Sequence, residues 1–169
     1  SDVSGVGNIA VGTSAADALT TGTCNVAIGV NSLGESTTTC GSVAIGNIAL
    51  GGADTTGIHN VAIGQAVMDA LTTGDCNVAM GSNALGASTI GCLNVGIGNL
   101  ALGVGVVTGS FNVGIGNRAG EDVTSGTNSV FIGNQAGRSG TTGTYNIAIG
   151  GETMRDGVTT GSHNIAMGV

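Results

Sequence analysis

The sequence has no proline, no tryptophan and no lysine, and its aromatic residues are two Phe and one Tyr in 169 residues. So few large rings exclude a globular core built on aromatic side chains. The only fixed cations are Arg118, Arg138 and Arg155, and the net charge is −7, so the basic surface that binds nucleic acid is missing. No run of about 18 apolar residues predicts a membrane span, and no basic and apolar leader begins the chain.

Glycine and small aliphatic residues are abundant instead, with 34 Gly and a hydrophobic fraction of 41%. A glycine that closes the pattern Asn-(Val/Ile)-Ala-(Ile/Met)-Gly recurs ten times at spacings of 17, 17 and 18 residues. These glycines are Gly12, Gly29, Gly46, Gly64, Gly81, Gly98, Gly116, Gly133, Gly150 and Gly168. Fixed periodicity of this size is typical of stacked coils that bury their apolar faces on one another. The pattern predicts one domain, 1–169, made of nine coils.

Numbering each unit from its glycine as zero, we find Val or Ile at −3, Val, Ile or Met at −1, and mostly Ala at −2. Alternation along a strand places −3 and −1 on one face and −2 on the other, so both faces are apolar. Small residues at +3 and Leu or Met at +4 indicate a second short strand in each unit. Two strands per coil predict an all-β fold, a flattened parallel β-solenoid or β-roll.

The interior of the coil covers only one face of such a sheet. An apolar stripe over ten strands is too large to remain exposed to solvent on a monomer. We therefore expect a homo-oligomer, most simply a homotrimer with the sheets packed about a common axis. The pattern leaves open whether the Ala and Gly residues at −2 face the interior or another subunit. Phe131 interrupts that column, so we expect a local widening or kink there.

Position −4 is Asn in eight units and Ser in two, which predicts a ladder of side-chain amides beside the strands. We assign these residues a structural role in the turn and no role as ligands. They include Asn25, Asn60, Asn77, Asn94 and Asn112.

A longer period of 52 residues divides the chain into three blocks, 13–64, 65–116 and 117–168. Duplication of a three-coil block explains it, and so does a geometry in which three chains wind around each other. Cys24, Cys40, Cys76 and Cys92 follow the same period. Stacked coils predict the disulfides Cys24–Cys40 and Cys76–Cys92, each worth about 3 kcal/mol and typical of an oxidising compartment, whereas winding predicts Cys24–Cys76 and Cys40–Cys92. Free thiols are the alternative to both.

No arrangement of residues predicts catalysis, a cofactor or a metal, so we interpret the chain as not an enzyme. His59 and Cys76 lie in the same column, but the spacing matches no common zinc motif. Glu121, Arg138 and Arg155 share position +5 in consecutive coils. Their stacking predicts an exposed ion ladder worth at most about 1 kcal/mol per pair.

The string Ser42-Val43-Ala44-Ile45-Gly46 and its relatives at 25–29 and 60–64 resemble the repeat of the head domains of trimeric autotransporter adhesins. The longer pattern, with Thr-Thr-Gly before Asn-Val-Ala-Ile-Gly, resembles repeats of phage tail fibres. The resemblance covers nearly the whole chain and implies a left-handed, trimeric β-roll on a cell or virion surface that sticks to other surfaces. The units here are longer than that family's head repeat, and the stalk, neck and anchor segments are missing.

These features predict a structural and adhesive segment of an extracellular or virion surface fibre, which we expect to be a fragment or matured piece of something longer. Its partners would be further copies of itself and a receptor or surface that the sequence does not identify. One alternative is a filament subunit that associates head to tail through open strand edges. Another is a solenoid that binds ice or another solid through Thr ladders at −9 and −8, such as Thr20-Thr21. Adjacent threonines point to opposite sides, which argues against that ladder.

Overall fold

The computed structural model describes residues 5–156 and 160–168, and it is an all-β parallel solenoid of about nine coils. The ten strands are β1 (Ile9–Val11), β2 (Val26–Ile28), β3 (Val43–Ile45), β4 (Val61–Ile63), β5 (Val78–Met80), β6 (Val95–Ile97), β7 (Val113–Ile115), β8 (Val130–Ile132), β9 (Ile147–Ile149) and β10 (Ile165–Met167). They form one sheet in chain order. The described residues contain no helix, and therefore none that could cross a membrane.

Equivalent residues of consecutive units stack directly on each other. In the pairing of β3 with β4, for example, Val43 lies opposite Val61 and Ala44 lies opposite Ala62, although 18 residues separate these strands and 17 separate the strands before and after them. The chain returns to the sheet at every unit, and each strand pairs with the next strand of the same chain. The structure therefore contradicts the winding in which the chain returns only every 52 residues.

The residues at −2 face the interior, which settles the orientation that the sequence left open. We call this set the inner column: Ala27, Ala44, Ala62, Ala79, Gly96, Gly114, Phe131 and Ala148. Each is buried, and across the coil the residues at +3 and +4, such as Ala49 and Leu50, are buried against them. The core is thus a thin layer of Ala and Leu, which agrees with the scarcity of rings in the composition.

The second strand predicted for each unit is wrong. The residues after each repeat glycine form turns, in which positions +2 and +4 have positive φ: 54° at Asn31 and 51° at Leu33. This curvature directs the Asn31 N–H to Thr13 of the preceding coil and the Leu33 N–H to Ala49 of the following coil. Backbone groups are paired between coils as in a sheet, but the chain is not extended. The left-handed conformation at Leu and Asn has no strong sequence signal, and for this reason the pattern suggested a strand.

Phe131 does not interrupt the sheet, because Gly114, Phe131 and Ala148 continue the ladder in register. Room for the ring comes from Gly120 and Gly137, which replace the Leu found at +4 in other coils. A Cβ built on Gly120 would lie 2.7 Å from Phe131 Cδ2, and one on Gly137 would lie 2.0 Å from Phe131 Cδ1. One large residue thus takes the volume of two missing leucines, and the expected widening or kink of the strand ladder is not seen.

Candidate functional site

The outward face of the sheet is apolar along its whole length. We call its two rows the outer columns: the first residues of the strands (Val26, Val43, Val61, Val78, Val95, Val113, Val130 and Ile147) and the third residues (Ile28, Ile45, Ile63, Met80, Ile97, Ile115, Ile132 and Ile149). All of them are half-buried or exposed, and Ile28, Met80, Ile97 and Ile115 are 36–40% exposed. In the single chain, no other part of the coil covers this face.

From Asn25 to Asn146 the asparagines at −4 are buried, and they join each coil to the next through their side chains. The Asn77 Oδ1 accepts a hydrogen bond from the Asn94 N–H at 2.9 Å, and the Asn77 Nδ2 donates to the Gly91 carbonyl at 2.8 Å. Asn60, Asn94 and Asn112 bond in the same way to the coils that follow them. Both ends of each of these amides are used inside the protein, so they present nothing outward to a ligand.

A compensating change accompanies the serine that replaces Asn at −4. Asn25 donates to the carbonyl of Thr39 and accepts from the Ser42 N–H. Ser42 accepts from the Asn60 N–H at 3.2 Å but is too short to reach the next carbonyl, that of Gly57. The Thr39 hydroxyl, in place of the usual glycine, donates to that carbonyl at 2.5 Å. The acceptor that Asn would satisfy is therefore satisfied by a different residue.

All four cysteines are free, so the predicted bridges Cys24–Cys40 and Cys76–Cys92 are not formed. The Cys40 Sγ lies 3.4 Å from the Thr23 nitrogen in the preceding coil and accepts its hydrogen bond. Cys24 leans in the same direction, because its Sγ lies beside Gly7 of the coil before it. Both side chains therefore lean toward the preceding coil, and no bridge joins the two sulfurs.

The Cys92 Sγ accepts a hydrogen bond from the Asp75 N–H of the preceding coil. Serine hydroxyls make the same contact elsewhere: the Ser110 Oγ accepts from the Cys92 N–H, and the Ser162 Oγ accepts from the Thr144 N–H. Cysteine is thus one of several acceptors in a second side-chain ladder. Hydrogen bonds from the Thr23 hydroxyl and N–H lower the pKa of the Cys40 thiol, and slight burial opposes them.

The ion ladder is only partly as predicted. The Arg138 Nε lies 2.8 Å from the Glu121 Oε2, but Glu121 is 3% exposed and also pairs with Arg118 at 3.3 Å. Arg155 does not continue the ladder, because its guanidinium pairs with Glu152 at 2.9 Å and Asp156 at 3.4 Å. The prediction of an exposed ladder is wrong for Glu121, which is a buried carboxylate held between two arginines.

The threonines expected to form a binding plane do not all face outward. At −9, the Thr20, Thr72 and Thr124 hydroxyls donate to carbonyls of the next coil. The outward hydroxyls lie at −8 and −6 instead, on either side of a buried residue that is usually Gly. We call these rows the hydroxyl columns: Thr21, Thr38, Thr56, Thr73, Thr108, Ser125, Thr142 and Thr160, all exposed, and Thr23, Ser110, Thr127, Thr144 and Ser162. Thr159, part of the same motif, lies outside the described residues.

A further column lies at −5, where the chain bends between the hydroxyl columns and the sheet. We call it the corner column: Gly7, Cys24, Gly41, His59, Cys76, Leu93, Phe111, Asn128, Tyr145 and His163. Every member has a positive φ, between 57° and 74°. His59 and Cys76 belong to this column, and their spacing matches no common zinc motif. Their exposure could not be predicted from the period alone.

The described residues contain no cavity and no group of three His, Cys, Asp or Glu side chains placed to hold a metal. The surfaces available for recognition are therefore the outer columns, the hydroxyl columns and the corner column. No protein-family model, curated protein or solved structure matches this chain.

Proposed function

We propose that this chain is a structural and adhesive segment of an extracellular or virion surface fibre, built as a rigid homotrimeric rod. The observation that carries the proposal is the uncovered apolar face formed by the outer columns. A sheet that is apolar on both faces is normally buried on both. Here the inner column is buried by the chain's own coil, whereas residues such as Ile97 and Ile115 are 36% and 37% exposed in the single chain.

A second and third copy would cover this face. The outer columns contain no charged or polar side chain from β2 to β9, so packing them together leaves no buried charge unpaired. Their residues are Val, Ile and Met in flat, in-register rows, which suits the packing of one sheet against another at a spacing of about 10 Å. Three sheets about one axis give a closed assembly without a free apolar face. The resemblance to adhesin heads supports this arrangement and a left-handed coil.

Attachment is the part of the proposal that rests on the outside of the rod. The columns repeat the same chemistry at about 4.8 Å per coil, so a trimer would present three copies of each row. Many weak contacts of this kind add up to strong attachment. The resemblance to surface fibres supports a position outside the cell or on a virion.

The test is to replace Ile97 and Ile115 by Asn together and to measure mass by light scattering and adhesion by a quartz microbalance. Both residues are partly exposed in the chain, so each coil should fold. We expect the mass to fall to a single chain and adhesion to drop with it. Ile90→Asn is the matched control, because Ile90 is 51% exposed among the hydroxyl columns. If the double variant keeps the mass of the unmodified protein, the outer columns are not the interface.

The hydroxyl columns favour a second candidate function, the binding of ice or another ordered solid. Hydroxyls at −8 and −6 lie on one side of the coil, unlike the adjacent threonines first considered. In units such as Ser125-Gly126-Thr127, the central glycine is buried, Ser125 is exposed and Thr127 is half-buried. Thr108→Tyr, which roughens this surface, should abolish thermal hysteresis. No hysteresis in the unmodified protein at millimolar concentration would reject this candidate.

A further inference from the structure

Four of the five rings in the chain lie in one exposed column. Phe111, Tyr145, His59 and His163 belong to the corner column, and the fifth ring, Phe131, is buried in the core. Phe111 is 55% exposed and Tyr145 is 53% exposed. The Tyr145 and His163 rings stack with centroids 5.0 Å apart and planes inclined by 20°. A chain with very few rings thus places most of them on one edge of the rod.

The backbone at these positions does not favour rings. Phe111 has a φ of 63° and Tyr145 a φ of 57°, in the left-handed region that costs about 1–2 kcal/mol for a residue with a side chain. The same column contains Gly7, Gly41 and Asn128, the residue types that adopt this conformation most easily. Neither backbone preference nor burial accounts for the rings at these two positions.

From Phe111 to His163 the rings have hydroxyl neighbours in the adjoining column, whereas His59 follows Ile58 and lies one coil from Asp75 of that column. Ser110, Thr127, Thr144 and Ser162 each precede a member of the corner column. The Asn128 Nδ2 donates to the Thr127 Oγ1 at 3.1 Å, and the Thr144 Oγ1 donates to the Ser162 Oγ at 3.1 Å. From Ser110 to His163 this edge therefore combines flat apolar rings with uncharged hydrogen-bonding groups, repeated at about 4.8 Å per coil.

We propose that the corner column from Leu93 to His163, with the hydroxyls beside it, binds a linear uncharged polysaccharide lying along the rod. Sugar rings have apolar C–H faces that pack on aromatic side chains, and their hydroxyls exchange hydrogen bonds with Ser, Thr and Asn. The net charge of −7 and the absence of a cation at this edge disfavour a polyanionic chain. The inference rests on the proposed attachment function, for which it names the partner.

The experiment is affinity electrophoresis of the full chain in gels that contain a soluble neutral β-glucan, a neutral mannan or the polyanion alginate. We expect retardation by at least one neutral polysaccharide and none by alginate. Replacing Phe111 and Tyr145 by Gly together should weaken retardation about tenfold or more, since two stacking rings are lost. Melting temperature should stay the same or rise, because Gly relieves the left-handed strain. Val106→Thr, at a residue 52% exposed outside the column, is the control and should change nothing.

Three outcomes would overturn the inference: no retardation by either neutral polysaccharide, retardation by alginate only, or unchanged binding by the double variant. Light scattering of the double variant detects a fourth such outcome. A fall in oligomer mass would mean that the column is an interface between copies and not a glycan-binding surface. If the unmodified protein is trimeric and adheres to surfaces but ignores both glycans, the inference fails alone. If it is a monomer without surface adhesion, the proposed function fails, whatever the gels show.

Discussion

Phe131 shows at the level of single residues how this thin core keeps its volume constant. The ring occupies the space that leucines fill in other coils, and Gly120 and Gly137 are small where those leucines would stand. Exchange of size between neighbouring positions preserves close packing, which protein interiors require. The three residues therefore act as one unit.

Phe131→Ala should destabilise the protein by about 3–5 kcal/mol, since it opens a cavity in the core. Gly137→Leu alone should also destabilise, because the new side chain meets the Phe131 ring. The two together should recover much of the loss, since Leu is accepted with a φ near 50° at the equivalent residues Leu50 and Leu85. Urea denaturation of both single variants and the double variant measures this coupling. Strictly additive losses would contradict the size exchange.

Asp69 gives the chain a pH dependence with a defined sign. Burial raises the pKa of its carboxyl above the ordinary value, against hydrogen bonds from the backbone N–H groups of Asp69 and Ala70. A raised pKa means that the folded state binds the proton more tightly than the unfolded state. The stability from this group is thus complete below the unfolded pKa and is lost as pH rises through the folded pKa.

Asp69→Asn should remove this dependence. Its melting temperature, compared with that of the unmodified protein, should become relatively higher as pH rises from about 3 to about 7. Asp17→Asn is the control, because Asp17 occupies the same position one block earlier and is exposed. A constant difference between Asp69→Asn and the unmodified protein over that range would contradict the assignment.

At the level of elements, the asparagine ladder joins strands that are too short to hold the fold alone. Each strand has three residues, and each buried amide adds an acceptor and a donor between coils. Leaving a buried backbone group without its partner costs about 1–3 kcal/mol. The ladder therefore adds to the free energy of unfolding at each coil.

Asn94→Ala should destabilise the protein by about 2–5 kcal/mol, because it leaves the Asn112 N–H and the Gly109 carbonyl without their hydrogen-bond partners. Asn94→Ser should cost less, since serine at Ser129 still accepts from the Asn146 N–H at 3.1 Å. Thermal denaturation should rank the unmodified protein first, Ser second and Ala last. If Ser and Ala variants are equally unstable, acceptance by the side chain oxygen has no role.

The period was sufficient to predict the parallel coils and the position of the strands, because each strand repeats Val-Ala-Ile or a close variant of it in register. It could not predict which face is inward, since Ala and Val are both apolar, or the turn at Asn31 and Leu33, since neither residue marks a left-handed backbone strongly. The period could not decide between bridges and free thiols for a related reason: spacing places Cys24 and Cys40 in adjacent coils, but it does not show that both side chains lean toward the preceding coil. The burial of Glu121 likewise follows from its two arginines and not from its position in the period.

For the whole molecule, the inner column forms the core of the solenoid, and the outer columns form an apolar face that the single chain leaves uncovered. Stability in such an array is close to a sum over coils and the contacts between neighbours, so a covered outer face would stabilise every coil in turn. The proposed fibre, its trimeric assembly and its attachment to a surface all require that further copies of the chain cover this face.

Native mass spectrometry of the unmodified chain, over a range of concentrations and with and without reductant, tests this claim most directly. We predict a species of three chains, each of 16.0 kDa, that persists on reduction because the outer columns, and not disulfides, are expected to hold the copies together. A single chain of 16.0 kDa at every concentration would contradict the account.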